Sequence, residues 1–277
     1  MFYIISRTSE YSPSREKLIG ACQKRGIPYT ICNPDTFDPT LLKISKSDSF
    51  YRIPDTLRAR QLDIYLTREG CRSIKVVNQG LDFTQMDTIT RDTLCVQAGI
   101  NCIPSVYFPL LVPEKLLAQV ETIGGFPVII KEMGSLGGKG IMKVDSISSL
   151  LSILRTVMAS ASGDVVLKKY IEHDEQARII VLNGCVIGEK GNMKNGHEIV
   201  LNAGVDFAQA KREYSPELKQ MAIEATRAVR LYFAGVDILI GKDGENYLAE
   251  VNMRPAFELV EKITGVDIAG QIVEFLN

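Results

Sequence analysis

Apolar and polar positions at the start of the chain follow first the period of a strand, then that of a helix, then that of a strand again. Phe2–Ile5 is a short apolar run that predicts a buried strand. Ser12 and Pro13 mark a helix start, and apolar residues recur at helical spacing until Gly26 ends the helix. Residues 27–31 return to the strand pattern. This order predicts a parallel sheet.

Further along the chain, two pairs of apolar strands are each separated by turn-forming residues. Residues 126–131 and 141–144 flank a glycine-rich stretch, and residues 235–240 and 247–251 flank a charged turn, so each pair predicts an antiparallel hairpin. Other predicted elements are helices at 56–69, 92–98, 114–121, 146–158 and 216–231, and strands at 165–171, 178–182 and 186–188. The whole pattern predicts an α/β first domain followed by an α+β arrangement of antiparallel sheets with helices.

The pattern changes character near residue 87, and this change suggests how the chain is divided. We expect an N-terminal α/β domain at 1–86, a small subdomain carrying the glycine-rich stretch at 87–164, and a C-terminal subdomain at 165–277. A chain of 277 residues is long enough for two to three such units in contact.

Composition removes several classes of function. Lys and Arg total 32 against 33 Asp and Glu, a balance that argues against a nucleic-acid partner. The two histidines, His173 and His197, and the lack of a Gly-x-Ser-x-Gly segment argue against a Ser-His-Asp hydrolase. The six cysteines form no Cys-x-x-Cys pair, which argues against structural zinc and favours reduced thiols in a cytoplasmic protein. No apolar run is long enough for a signal peptide or a membrane span.

The first motif with chemical potential is the glycine-rich stretch at 131–140. Gly134, Gly137, Gly138 and Gly140 lie within seven residues, so the main chain there can approach a ligand closely and offer N–H groups to an anion. The spacing is neither that of a Walker A loop nor that of a dinucleotide fingerprint. A flexible hairpin loop is an equally good interpretation of the motif alone.

The second motif is acidic and lies in the last hairpin. Glu250 and Asn252 are two apart on a strand and therefore share a face, and the antiparallel partner strand can bring Asp237 to it. Two carboxylates and an amide oxygen suit Mg²⁺. A hairpin with a few exposed charges is the alternative, and it is disfavoured because charges within apolar strands are costly without a partner.

The third motif is the polar strand end at 168–172. A mixed strand running into a polar turn can form a hinge that contacts the edge of a base, but a solvated strand end is the better interpretation when this segment is taken alone.

Taken together, these residues resemble the ATP-grasp superfamily, in its RimK-like branch of carboxylate–amine ligases. The resemblance runs from about residue 87 to the end and more loosely over the first domain. It is carried by 126–131 with the glycine-rich stretch, by 235–239, by 250–252 and by 264–269. It implies the ATP-grasp fold, with a nucleotide held between two antiparallel-sheet subdomains.

The resemblance also implies roles for individual residues. Lys131 would reach the α/β-phosphates and the adenine pocket, and Gly137 and Gly138 would belong to a lid over the phosphates. The remaining implied roles are adenine hinge for Lys169, Tyr170 and Ile171, the ribose position for Gln176, a phosphate contact for Lys190, Mg²⁺ ligation by Asp237, Glu250 and Asn252, and acyl-phosphate binding by Arg178 and Arg254.

The sequence departs from the family pattern at three places. Arg91-Asp92 is followed by Thr93 instead of lysine, so one cation is missing. Gln176 stands where the family has a ribose-binding acid, although Asp174 and Glu175 are close enough to substitute. The segment after Asn252 contains Arg254-Pro255-Ala256 instead of Ser/Asn-Pro-Gly.

The function implied by the resemblance is ATP-dependent formation of an amide through an acyl phosphate, with ATP and Mg²⁺ or Mn²⁺ as cofactors. The expected partners are small-molecule carboxylate and amine substrates, or a peptide or protein terminus in place of one of them, with no nucleic acid and no membrane; a homo-oligomer is compatible with the sequence. The alternative is an ATP-binding regulatory protein of the same fold without ligase activity.

Overall fold

The computed structural model describes residues 1–41, 44–54, 56–73, 87–133, 140–159, 165–193, 208–253 and 255–277. Within them the helices are α1 Pro13–Lys24, α2 Leu57–Arg68, α3 Thr88–Gln97, α4 Pro113–Thr122, α5 Ile147–Met158, α6 Pro216–Ala228, α7 Glu258–Thr264 and α8 Ile268–Leu276. The strands are β1 Phe2–Ile5, β2 Tyr29–Cys32, β3 Ser49–Arg52, β4 Arg72–Ser73, β5 Ser105–Val106, β6 Val128–Glu132, β7 Ile141–Val144, β8 Val165–Lys169, β9 His173–Leu182, β10 Cys185–Met193, β11 Ala208–Lys211, β12 Phe233–Gly241 and β13 Asn246–Asn252.

The N-terminal sheet is parallel, as its sequence pattern predicts. Its strand order is β2-β1-β3-β4. The Ser12 hydroxyl caps α1 by accepting from the Arg15 N–H, with Pro13 in the first turn. Strand β3 was not predicted because Ser-Phe-Tyr-Arg lacks an apolar run. Its arginine, Arg52, is nevertheless buried, and it bonds Asp63 of α2 at 2.6 Å.

A second sheet, which we call the roof, has the order β5-β8-β6-β7 and is antiparallel. The predicted hairpin on either side of the glycine-rich stretch is confirmed as β6 and β7. Helices α4 and α5 cover the outer face of the roof, where Leu116, Leu150 and Leu154 join strand residues such as Val128 and Ile130 in one apolar core. The opposite face of the roof is turned toward the third sheet, and we call the space between these two sheets the cleft.

The third sheet, which we call the floor, has the order β11-β10-β9-β12-β13 and is also antiparallel. Helix α6 packs against one face through Leu218, Ala222 and Ala225. Strands β9 and β10 are longer than predicted. Their additional residues are largely polar, as at the start of β9, and a polar residue on the cleft face of a strand gives no apolar signal.

The C-terminal helices α7 and α8 were not predicted, and they join the floor to the N-terminal sheet. Phe257, Ile268 and Ile272 share a core with Phe2 and Leu18. The same core contains Leu182 and Phe233 of the floor, so the N-terminal sheet is anchored to the floor through these helices.

Strand β8 pairs with β5 and β6, so it belongs to the roof. The chain thus passes between roof and floor at residues 103–105 and again at 169–173. We propose to keep the three units expected from the sequence, with the second boundary moved from 164 to about residue 170. None of the helices in the described ranges is long and apolar enough to cross a membrane.

Candidate functional site

A row of four charged residues crosses the floor. Lys190 of β10 lies opposite Arg178 of β9, Arg178 lies opposite Asp237 of β12, and Asp237 lies opposite Glu250 of β13. Residues directly opposite each other in antiparallel strands share one face of the sheet. This face is turned toward the roof, so one side of the cleft carries two cations, Lys190 and Arg178, followed by two carboxylates, Asp237 and Glu250.

Asp237 is the most tightly held member of this row. It is only 5% exposed, and Arg178 binds it with two parallel bonds, Nε to Oδ1 at 2.5 Å and Nη2 to Oδ2 at 2.8 Å. The Asn252 amide donates to the same Oδ2 at 2.9 Å. Bidentate guanidinium–carboxylate pairing fixes orientation as well as charge. Asp237, Asn252 and Arg178 therefore form one rigid cluster.

Alternation along the roof strands decides which of their side chains enter the cleft. In β6, Val128 and Ile130 are buried in the roof core, so Ile129 and Lys131 face the floor. Lys131 Nζ lies 3.0 Å from Glu250 Oε2, and Arg91 of α3 lies 3.9 Å from Glu250 Oε1.

The charge state of Glu250 follows from these neighbours. Burial alone would raise the pKa of this carboxyl group. The positive charges of Lys131, Arg91 and Arg178 outweigh burial and hold the pKa below its ordinary value. Glu250 is therefore a carboxylate at neutral pH, already surrounded by cations.

The other end of the cleft is apolar. The space between the sheets is open to solvent and has a volume of about 640 Å³ when the solvent at its mouth is included. It is lined there by the aliphatic side chains of Ile103, Ile129, Ile141, Ile171, Leu239 and Ala249. Buried Gln176 of β9 borders the same space, and the Tyr170 ring lies beneath Lys143 Nζ, 4.4 Å from the ring centroid. An apolar slot that ends in a charged row suits a molecule with a flat apolar end and an anionic end.

Lys190 is buried at the end of the charged row and bonds the side chain of Asn192. Burial, together with the neighbouring charge of Arg178, lowers the pKa of its ammonium group from the ordinary value of 10.5 to about 8, while Asp237 opposes the shift. Lys190 therefore carries most of its charge at pH 7 and loses it in mildly alkaline solution.

The sequence pattern of the RimK-like ATP-grasp domain matches residues 90–276 of the chain. The chain belongs to this family. Its family membership and its relatives identify the chain as an ATP-dependent carbon–nitrogen ligase. It is 26% identical to a probable alpha-L-glutamate ligase of Maridesulfovibrio salexigens, and the alignment covers 99% of this chain and 94% of that protein.

Solved structures show the same fold over the whole length of the RimK-like chain. The ATP-grasp ligase PsnB, complexed with a phosphomimetic variant of its minimal precursor, Mg and ADP, aligns with a TM-score of 0.76 at 15% identity, covering 99% of this chain and 97% of that one. D-alanine–D-alanine ligase from Bacillus anthracis aligns with a TM-score of 0.75 at 16% identity, covering 99% and 95%. The predicted ATP-grasp fold is confirmed.

The structure brings most of the residues implied by the resemblance to one cleft. Those that line it, bond a residue that does, or belong to the charged row are Lys131, Lys169, Tyr170, Ile171, Gln176, Arg178, Lys190, Asp237, Glu250 and Asn252. The side chain of Lys169 runs along Gly124, away from the cleft face of β8. Gly137, Gly138 and Arg254 lie outside the described residues.

One expectation near the ribose position needs correction. Glu175 does not substitute for Gln176, because alternation along β9 turns it to the other face of the floor, where Tyr214 and Arg212 bond it at 2.7 and 3.0 Å. Asp174 is exposed and pairs with Lys242 at 3.0 Å. Gln176 itself is the polar side chain at this place in the RimK-like cleft.

Sequence reasoning missed several charged residues of the cleft. Arg91 provides a cation near Glu250, and Lys168 is buried in the cleft wall with Asp92 at 2.8 Å, so the solvated strand-end interpretation is wrong for Lys168. The alternation of Val165 and Leu167 into the roof core was the available signal, because it turns Lys168 to the opposite face.

Proposed function

We propose that the chain is an ATP-dependent carboxylate–amine ligase that forms an amide bond through an acyl phosphate and releases ADP and phosphate. The observation that carries this proposal is the charged row of the floor, with Lys131 of the roof opposite it and an apolar slot beside it. The arrangement complements a nucleoside triphosphate along its whole length.

The base would occupy the apolar slot. The main chain of Lys169, Tyr170 and Ile171 borders this slot and would bond the edge of adenine, while Gln176 would bond the ribose. Lys131 and Lys190, on opposite sides of the cleft, would bind phosphate oxygens through charge-assisted bonds. The proposed lid role of Gly137 and Gly138 rests on the sequence alone.

The chemistry of the donor set fits a divalent cation. Asp237 and Glu250 are register partners, Asn252 contacts Asp237, and all three offer hard oxygen donors. The Lys131 ammonium rests on Glu250 as a cation would. Asp237, Glu250 and Asn252 would hold Mg²⁺, and the same oxygen donors suit Mn²⁺. A bound Mg²⁺ supplies charge neutralisation at the phosphate oxygens during phosphoryl transfer.

The chain itself then has to hold the reacting groups and keep them in line. A substrate carboxylate oxygen forms a bond to the γ-phosphorus as the bond from that phosphorus to ADP breaks. The nitrogen of an amine then bonds the acyl carbon as phosphate leaves, and the amine proton passes to solvent. Arg178, fixed by Asp237, would bind the acyl-phosphate oxygens, and Arg254 is proposed for the same role from the sequence alone.

We propose L-glutamate as one co-substrate, because the curated relative is named a glutamate ligase. A peptide or protein terminus is proposed as the other, because the ATP-grasp ligase PsnB was also solved with a precursor peptide. The cytoplasmic location, the absence of a nucleic-acid partner and a homo-oligomeric state stay predictions.

The test is ADP release in the presence of Mg²⁺ and L-glutamate with a panel of carboxylate and amine partners. We expect ADP release that depends on both substrates, and transfer of one ¹⁸O atom from a labelled substrate carboxylate to phosphate. Tight ATP binding without ADP release for any pair would favour the regulatory alternative. Absence of ATP binding would contradict both functions.

A further inference from the structure

The roof and the floor are connected by two short chain crossings that lie side by side. One crossing is residues 103–105 and the other is residues 169–173. The Lys169 N–H donates to the Pro104 carbonyl at 2.9 Å, which ties the two crossings together. Within the described residues, the chain joins the two sheets only through these two adjacent segments, with Ile103 and Ile171 packed on Leu239 of the floor, so one sheet can tilt against the other as it would about a hinge.

Helix α3, which precedes the first crossing, is fixed to the floor. Cys95 and Ile100 lie in the core beneath the floor together with Ala222 and Ala225 of α6. The chain after α3 then runs beside β13, where the Leu248 N–H donates to Asn101 at 2.8 Å. A side chain on α3 therefore moves with the floor.

Asp92 of α3 is nevertheless bound by the roof. Its Oδ2 accepts from Lys168 Nζ at 2.8 Å and from the Tyr107 hydroxyl at 3.3 Å. Lys168 belongs to β8 of the roof, and Tyr107 directly follows β5 of the roof. Asp92 and Lys168 are 8% and 5% exposed. A buried ion pair is rigid, and removing one partner leaves an uncompensated charge.

We propose that the Asp92–Lys168 pair is a brace across the hinge, and that Asp92 is a positioning residue that sets the angle at which the roof presents Lys131 to Glu250. The brace lies at the hinge end of the cleft. The Lys131–Glu250 bond is a second contact between roof and floor, but it belongs to the proposed phosphate and metal site and is exchanged when ligands bind. The brace keeps the angle while those groups change partners.

A second ion pair, between Lys242 and Glu172, provides a control within the hinge. Lys242 pairs with Glu172 at 3.2 Å beside the second crossing, but Glu172 is 68% exposed. An exposed ion pair is screened by solvent and contributes little. Lys242→Met therefore removes a charge pair from the same hinge without removing the brace.

The experiment measures the distance between roof and floor in nucleotide-free protein, so its result does not depend on the proposed function. Spin labels are placed at exposed Cys185 of the floor and at Ser152→Cys on α5 of the roof, and distances are read by double electron–electron resonance. The other five cysteines are buried or half-buried. The variants are Asp92→Asn, Lys168→Met, the double variant and Lys242→Met.

We expect each single variant to broaden the distance distribution and to lower Tm on the order of 10 °C, since each leaves one buried charge. The double variant should regain most of the Tm that the single variants lose, because no buried charge is left. Its distance distribution should stay broad. Lys242→Met should keep both Tm and the distance distribution at their wild-type values. If a single variant does not fold, the double variant carries the test. A wild-type distribution in the double variant, or equal broadening by Lys242→Met, would overturn the proposal.

Discussion

Lys131 Nζ lies 3.0 Å from Glu250 Oε2, and this bond joins the roof to the floor across the cleft. Both residues are proposed ligand contacts, one for phosphate and one for metal. Their opposite charges neutralise each other. A metal and an anionic nucleotide would therefore enter the site as a pair, each taking one partner of the bond.

Glu250→Gln should abolish Mg²⁺-dependent turnover while the fold survives. The substitution keeps the shape of the side chain and removes one metal-binding charge, so we expect ADP release to fall about 100-fold or more. Glu245→Gln is the matched control, because Glu245 is exposed in the turn of the same hairpin. Turnover that stays at the wild-type rate in Glu250→Gln would contradict the metal assignment.

Lys131→Ala should weaken ATP binding. Loss of a hydrogen bond from a charged donor corresponds to about 10- to 100-fold in Kd, measured by calorimetry. Lys115→Ala, on exposed α4 of the roof, is the control and should bind ATP as the wild type does. Arg25 is unsuitable as a control, because it bonds Glu274 and Asp267 at 2.7 and 2.9 Å. Equal affinities of Lys131→Ala and Lys115→Ala would refute the phosphate assignment.

Gly235→Ala should disturb the site through packing. A Cβ atom at this position of β12 would lie 2.5 Å from Pro255 Cβ and 3.2 Å from Arg178 Nη1. We expect a stability loss of about 1–3 kcal/mol and reduced turnover, because Arg178 is pushed from Asp237. Gly20 is exposed on α1, and a Cβ atom there would meet nothing within 4 Å, so Gly20→Ala should leave turnover unchanged and raise stability by up to about 1 kcal/mol. Thermal unfolding and ADP release measure both effects, and wild-type behaviour of Gly235→Ala would argue against the close packing.

ATP affinity should decline as the pH rises through about 8, where the ammonium of Lys190 loses its proton in the ligand-free protein. Because the folded pKa lies below the ordinary 10.5, burial of the charge costs stability at low pH, and this cost is relieved between about 8 and 10.5. Lys190→Arg stays charged throughout this range and should remove the decline. Calorimetric titrations at pH 7 and pH 9 compare the two proteins. An identical decline in both would assign the titration to another group.

Local sequence pattern was sufficient for features set by neighbours in the chain. The two-residue period of β13 puts Glu250 and Asn252 on one face independently of the rest of the chain. The glycine-rich residues between two short apolar runs predict that β6 and β7 form a hairpin. The cap of α1 by Ser12 is equally local.

Tertiary structure decided which distant residues meet. Arg178 bonds Asp237, 59 positions away, only because the floor has the order β10-β9-β12-β13, and the irregularity between Asp237 and Ile238 sets which residue of β13 lies opposite. Asp92 and Lys168, 76 positions apart, pair because α3 is fixed to the floor while β8 belongs to the roof. Strand order and register between distant segments depend on how whole sheets and helices pack, and no local period of apolar residues encodes that packing.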